Sequence, residues 1–301
     1  MRGPLPHRHG GLPYALGTYT IWGLLPLYLR LIHDVPPFEF VAWRIIFTVP
    51  LCLMFLALLR QWGELRAVLR DPRLLGRLLL TAVLIGLNWM VYIAAVQNGH
   101  VLATSLGYYI NPLVNVLAGT LFLGERLSTR QWAAVGLAAL GVSLLAWGAR
   151  DTLWISLTLA ISFSIYGLIR KTSPVGSLPG LTIESIVLLL PASAAAWWFA
   201  QQSGGSAVGH GLGKTLLVAA SGVLTAVPLL MFATAARRMD YSSLGMVQFL
   251  SPTIVFFLGL FVFGEPLRPV QLACFVLIWA AIGLFVWDLL ALRRQVRPSA
   301  S

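Results

Sequence analysis

Thr104–Leu127 reads TSLGYYINPLVNVLAGTLFLGERL, and Ser242–Leu267 reads SSLGMVQFLSPTIVFFLGLFVFGEPL. An offset of 140 sets Pro112 on Pro252, Gly124 on Gly264, Glu125 on Glu265, Leu127 on Leu267 and Gln131 on Gln271. The Ser-Leu-Gly that opens each copy, Ser105–Gly107 and Ser243–Gly245, matches at an offset of 138, so two residues are inserted between. Each copy is an apolar run interrupted midway by Asn-Pro or Ser-Pro and closed by Gly-Glu. A repeat of about half the chain length, with a helix breaker inside an apolar segment, points to a duplicated membrane fold.

The composition agrees. Of 301 residues, 58% are hydrophobic and 10% charged, against roughly 25% charged in soluble domains. The apolar residues come in runs of about 18–24, the length that crosses ~30 Å of hydrocarbon at 1.5 Å per residue. A net charge of +11 would suggest nucleic acid in a soluble protein. Here the arginines sit between apolar runs with few aromatic residues interleaved, so they read as loops that fix orientation and no nucleic-acid partner is expected. Cys52 and Cys274 lie far apart inside apolar runs, which indicates neither a disulfide framework nor a zinc site. The N-terminal MRGPLPHRHGGLPYALG lacks a short apolar region ending in a small-residue cleavage site, so the first run is expected to remain a span.

Ten runs are predicted as spans: 12–32, 38–59, 75–97, 101–123, 129–148, 152–170, 178–200, 212–235, 242–263 and 267–289. The sixth is the weakest, diluted by Ser156, Thr158, Ser162 and Ser164. Connections are short, so one membrane unit in two halves is expected, with no soluble domain. Sixteen Lys and Arg fall on the side of the two termini and four on the other, with Arg44 inside span two. This bias predicts cytoplasmic termini. Spans one to five and six to ten are then the halves. Five is odd, so the second half enters the membrane from the opposite face. Inverted repeats of this kind suit alternating access.

Proline within a helix frees the carbonyl four residues earlier. Pro112 would free that of Tyr108 and Pro252 that of Gln248, both near the bilayer midplane, so both prolines are predicted bends. A freed carbonyl should face protein or a wet cavity. Tyr108, Asn111 and Asn115 of span four, with Gln248 and Ser251 of span nine, form a candidate substrate-facing strip. The alternative is helix–helix hydrogen bonding. Asn88, Trp89 and Tyr92 in span three, Trp22 and Tyr28 in span one and Tyr166 in span six either line a pocket for amphipathic molecules or pack. Arg44 and Glu184, each about 10 Å inside its span, are the intramembrane charges. Arg44 suits anionic substrate groups. Glu184 suits a coupling proton or a cation. Glu125 and Glu265 would start or cap the following helix, since an acid is unfavourable at a helix C-terminus. GxxxxGK[ST], HExxH and clustered acids are absent from the sequence. ATP hydrolysis and metal chemistry are therefore not expected, and no cofactor is called for.

These segments resemble a known family. Asn88–Leu127 (NWMVYIAAVQNGHVLATSLGYYINPLVNVLAGTLFLGERL) is similar to the signature region of RarD proteins, among the EamA-type drug/metabolite transporters. Trp22–Ile32, Tyr166–Glu184 and Phe249–Leu267 resemble the same family, and the similarity runs from about 12 to 289. The resemblance implies ten helices in two inverted five-helix repeats, 12–148 and 152–289, around a cavity lined by helices one, three, four, six, eight and nine. It implies a bacterial inner-membrane permease, with a link to chloramphenicol. The residues that carry over are Trp22, Gly23, Pro26, Arg44, Asn88, Trp89, Tyr92, Gly107, Tyr108, Asn111, Pro112, Tyr166, Glu184, Ser251 and Pro252. Trp43 departs from the family's histidine before the arginine of span two, and Gly124 from its polar residue before Glu125.

The reading is an all-α secondary transporter exporting small amphipathic metabolites or drugs. The rivals are an importer or exchanger of amino acids or related solutes, and a membrane enzyme acting on lipids. The second would need acid or histidine clusters that ten scattered acids do not supply.

Overall fold

Helix starts and stops follow local chemistry. The computed structural model describes residues 10–98, 100–147, 150–202, 205–209, 211–264 and 266–296. Helix α1 spans Leu12–Leu31 and α2 spans Pro37–Leu58, each with proline in its first two positions, where no backbone N–H is needed. Helix α3 is Trp62–Arg70 and α4 is Pro72–Gln97. The Asp71 carboxylate caps α4, accepting from the N–H groups of Arg73 (2.9 Å) and Leu74 (3.2 Å). Helix α5, Val101–Leu123, stops at Gly124, whose φ of 65° is left-handed backbone that glycine adopts freely. Next come α6 (Thr129–Trp147), a 3₁₀ turn (Arg150–Thr152), α7 (Leu153–Thr172), α8 (Ser177–Ala200) and α9 (Leu212–Arg238). The chain ends in α10 (Tyr241–Gln248), α11 (Leu250–Phe261) and α12 (Pro269–Val296).

Among the described residues, eight helical stretches are long and apolar enough to cross a membrane. Helices α1 and α6, of 20 and 19 residues, are long enough but less apolar. Tyrosine, threonine and glycine dilute α1, and α6 begins Thr-Arg-Gln. Two features depart from the sequence reading. The 242–263 run is two helices, α10 and α11, meeting at Phe249. Pro252 falls in the first turn of α11, where its missing N–H costs no helical bond, whereas α5 continues unbroken through Pro112. The link after α2 also carries an unforeseen helix, α3. Leu65 and Val68, three apart, are its buried face, and Glu64, Arg66 and Arg70 are polar.

Helix α6 packs on α12, α5 on α7 and α10, α2 on α8 and α9, α1 on α9 and α11, and α4 on α7 and α8. Small residues set these distances. A Cβ on Gly245 would lie 2.6 Å from the Pro112 carbonyl, and one on Gly107 would lie 3.2 Å from that of Ser156. The repeated glycine thus allows α5 and α10 to approach, and α5 and α7 likewise. The serines that weakened the sixth span explain themselves here. Ser156, Ser162 and Ser164 are buried on α7, where Ser156 donates to the Ala103 carbonyl (2.7 Å) and Ser164 accepts at its carbonyl from the Tyr241 hydroxyl (2.7 Å).

Candidate functional site

Two charged positions 140 apart, Arg44 on α2 and Glu184 on α8, stand in different surroundings. Glu184 is 2% exposed. Its Oε1 accepts from the Thr81 hydroxyl (2.6 Å) and its Oε2 from the Tyr166 hydroxyl (3.3 Å). Arg170 supplies the opposite charge, with Nε 3.7 Å from Oε1. The Arg170 guanidinium also donates from Nη2 to the carbonyls of Gly176 (3.3 Å) and Ser177 (2.9 Å), while Nε and Nη1 make no hydrogen bond among the described residues. It lies flat over Gly180, where any Cβ would collide with it. Breaking such a pair would strand a buried charge, which costs about 3–5 kcal/mol. A void of about 10 Å³, lined by Glu184, Tyr166, Thr48, Trp89 and Thr225 among others, has room for about one water.

Arg44 is half-buried. Its Nε donates to the Thr225 hydroxyl (2.9 Å), and its guanidinium lies 4.7 Å from the Trp89 ring and 5.9 Å from that of Phe40. Tyr28, Tyr92 and Tyr108 stand within electrostatic reach. Tyr92 and Tyr108 meet edge to face at 6.0 Å. Tyr108 is 53% exposed although it lies mid-helix, so open space adjoins it.

The amides form a third group. Asn111 donates to the Ala160 carbonyl (2.7 Å), Asn115 to the side-chain oxygens of Asn111 (3.2 Å) and Gln248 (2.7 Å), and Gln248 to Asn111 Oδ1 (2.6 Å). These bonds join α5 to α7 and α10. Interhelical bonds of this kind are worth roughly 0.6–2 kcal/mol each in membranes. Asn115 Oδ1 is buried without a hydrogen-bond partner among the described residues. Asn88 likewise ties α4 to α7 through the Leu159 carbonyl (2.8 Å) and Ser162 hydroxyl (2.9 Å). Trp22 packs with Tyr19, Phe163 and Phe232, and Phe163 in turn contacts Tyr166. Ser251 is half-buried in the first turn of α11.

The face carrying the basic loops is cross-linked. Glu125 does not cap its own following helix, α6, as its position in the sequence suggested. Its Oε1 accepts from Tyr241 N–H (2.6 Å), and its Oε2 accepts from Ser242 N–H (2.8 Å) and the Ser242 hydroxyl. It thereby caps α10, whose free N–H groups attract a carboxylate. Glu265 lies outside the described residues. Glu64 of α3 accepts from Gly176 N–H (2.6 Å) at the head of α8. Lys171 donates to the carbonyls of Ala236 (2.9 Å) and Met239 (2.6 Å), and Arg237 to that of Val175 (2.6 Å). A groove of about 630 Å³ opens beside these ties, lined by Phe55, Leu178, Leu230 and Arg238 among others. On the opposite face Glu39 Oε1 accepts from Ala207 N–H (2.6 Å), the Ser206 hydroxyl (2.9 Å) and the Trp43 indole (3.1 Å). Lys214 pairs with Asp34 at 2.7 Å. The hydrogen bond from Lys214 is the main influence holding the Asp34 carboxyl below the usual carboxylate range.

The predicted residues therefore fall into three places. Arg44, Trp89, Tyr92 and Tyr108 gather at one site, Tyr166 and Glu184 at another, and Asn88, Asn111, Asn115 and Gln248 at helix contacts. Sequence reasoning placed Arg170 or Lys171 near Glu184, of which the structure brings Arg170 to it, and missed Glu39 and Glu64 as partners. Arg170 carried a signal, since its offset of 14 from Glu184 spans one tight helical hairpin; Glu39, at the head of α2, and Glu64, in α3, carried none that pointed to their partners.

Residues 9–147 match the EamA-like transporter family. Over 287 residues the chain is 44% identical to Protein RarD of Streptomyces exfoliatus, covering 95% of this chain and 91% of that one. It is 40% identical over 286 residues to Protein RarD of Escherichia coli (strain K12), covering 95% and 96%. A solved structure titled "Crystal structure of protein" superposes with a TM-score of 0.70 at 19% identity, covering 93% of this chain and 98% of that one, a likeness of fold. With its helices apolar enough to span a bilayer, the chain is a multi-pass membrane protein belonging to the RarD family of EamA-type transporters.

Proposed function

We propose that the chain is a secondary transporter of the bacterial inner membrane, exporting small amphipathic metabolites or drugs by alternating access between two inverted five-helix repeats. One observation carries this reading: the packing is the same when the halves are exchanged. With α1, α2, α4, α5 and α6 set equivalent to α7, α8, α9, the α10–α11 pair and α12, each main contact has its exchanged counterpart. The α5–α7 contact answers to that of α1 with α10 and α11, and α4–α7 answers to α1–α9. The α2–α8, α6–α12 and α5–α10 contacts map onto themselves. A two-fold axis between the halves would produce this pattern; five spans per half put that axis in the membrane plane, and each half would then offer the same gate to opposite compartments.

Some exchanges are unequal; α7, for example, packs on α9 without a comparable α1–α4 contact. Helix α2 packs closely along α9, whereas its counterpart α8 packs more sparsely on α4. Together with the ties of Glu125, Glu64, Lys171 and Arg237 on the basic face, and the open space at Tyr108, this supports an outward-facing state with cytoplasmic termini. Those ties are the contacts an inward-facing state would have to break. Glu184, a buried carboxylate well inside its span, is the candidate carrier of a coupling proton.

Single-cysteine chains at Tyr108 and at Ser185, which is buried deeper along α8 than the groove, in a background lacking Cys52 and Cys274, test this in liposomes of one orientation. An impermeant thiol reagent should label Tyr108→Cys from outside, and an added transported solute should raise labelling of Ser185→Cys from inside. Labelling that no solute changes at either position, with no solute flux, would overturn alternating access.

A further inference from the structure

The two halves differ in how their intramembrane charges are answered. Glu184 and Arg170 form an acid–base pair, 3.7 Å apart. At an offset of 140 the same two positions of the first half are Arg44 and Arg30, both cations. Arg30 lies over the Phe263 ring at 5.6 Å and is exposed. Arg44 stays in the membrane, and among the described residues no carboxylate pairs with it. Its Nε is taken by Thr225, while no hydrogen bond among the described residues engages either Nη.

Resting on the transporter reading above, we propose that Arg44 binds the carboxylate of an amphipathic organic monoanion whose flat apolar body lies against Trp89, Tyr92 and Tyr108. A guanidinium fork matches a carboxylate with two parallel hydrogen bonds. With Nε held by Thr225, the Nη edge is the part of the fork left to meet it. The Trp89 face, 4.7 Å away, stabilises the cation while the site is empty. The Tyr92 and Tyr108 rings, with open space at Tyr108, provide an apolar wall carrying phenolic donors. One unanswered cation also sets the charge of the ligand. A dianion such as a phosphate monoester would bring a second negative charge that no group of this cluster neutralises, and an organic cation would be repelled.

The test uses the full chain in nanodiscs and three probes of one shape: 3-phenylpropionate, 3-phenylpropanamide and 3-phenylpropylammonium, with calorimetry as the readout. The carboxylate should bind at least about tenfold more tightly than the other two, the worth of one charge-assisted hydrogen bond in this setting. Arg44→Gln should erase that preference and Arg44→Lys should restore part of it. Equal binding of the three, no binding of the carboxylate, or a preference that survives Arg44→Gln overturns the proposal. The charge preference of the unmodified chain decides the matter even if Arg44→Gln does not fold. Flux in liposomes separates the two readings. Transport of the amide or the ammonium without the carboxylate would refute the anion site and leave the transporter. Charge-selective binding with no flux of any probe would keep the site and refute transport.

Discussion

Removing the Glu125 carboxylate should unseat α10. Glu125 receives two backbone N–H groups, at 2.6 and 2.8 Å, and the Ser242 hydroxyl. Hydrogen bonds to a charged acceptor contribute about 1.5–3 kcal/mol each, and the helix N-terminus adds roughly 0.3–1 kcal/mol. The site is half-buried, so water recovers part of what is lost, and the bonds share one carboxylate and are not additive. A net cost of about 2–4 kcal/mol for Glu125→Ala is expected, read as a fall of about 5–10 °C in the melting temperature of the purified protein. Glu125→Gln should lose about half as much, because one oxygen becomes an NH₂ facing another donor. Gly119→Ala should act in the same direction without touching the acid, since its Cβ would sit 2.5 Å from Glu125 Oε2. Both Glu125→Ala and Gly119→Ala melting within about 2 °C of the parent would refute the reasoning and reduce the cap to a surface contact.

Other outcomes follow from the same geometry. Glu184→Gln should abolish flux driven by a pH gradient while leaving solute binding in place; unchanged gradient-driven flux would return Glu184 to a structural role beside Arg170. Pro112→Ala, which can return a hydrogen bond inside α5, should change thiol labelling of a cysteine at Asn111 more than Pro252→Ala, in the first turn of α11, changes that of a cysteine at Ser251. Identical labelling in both, with normal flux, would make the prolines packing features. Cytoplasmic reporters fused at either terminus should be active, and a tag inserted after Asn98 should be labelled from outside. A C-terminus found outside would remove the even number of crossings.

The sequence alone determined the class, the helix limits to within a few residues and the family, because apolar runs long enough to cross a bilayer have few alternatives. Their charge inside apolar runs also singled out Arg44 and Glu184 before any packing was known. What each does was decided by tertiary structure. Glu125 reads as a cap for the next helix, yet it reaches a helix 116 residues further on, because a carboxylate settles at the nearest free N–H groups in space rather than in sequence. Ser156 and Ser162 dilute a span on paper and tie α7 to α5 and α4 in the fold. Span nine breaks at Phe249, since Pro252 begins a helix more readily than it continues one. Arg44 and Glu184 are equivalent along the chain, but among the described residues only Glu184 meets an opposite charge: Arg170 reaches it, while the position that repeats Arg170 holds a second cation, Arg30. Charge and hydropathy are local properties that a sequence carries openly; which charges answer one another depends on how helices from different parts of the chain come together.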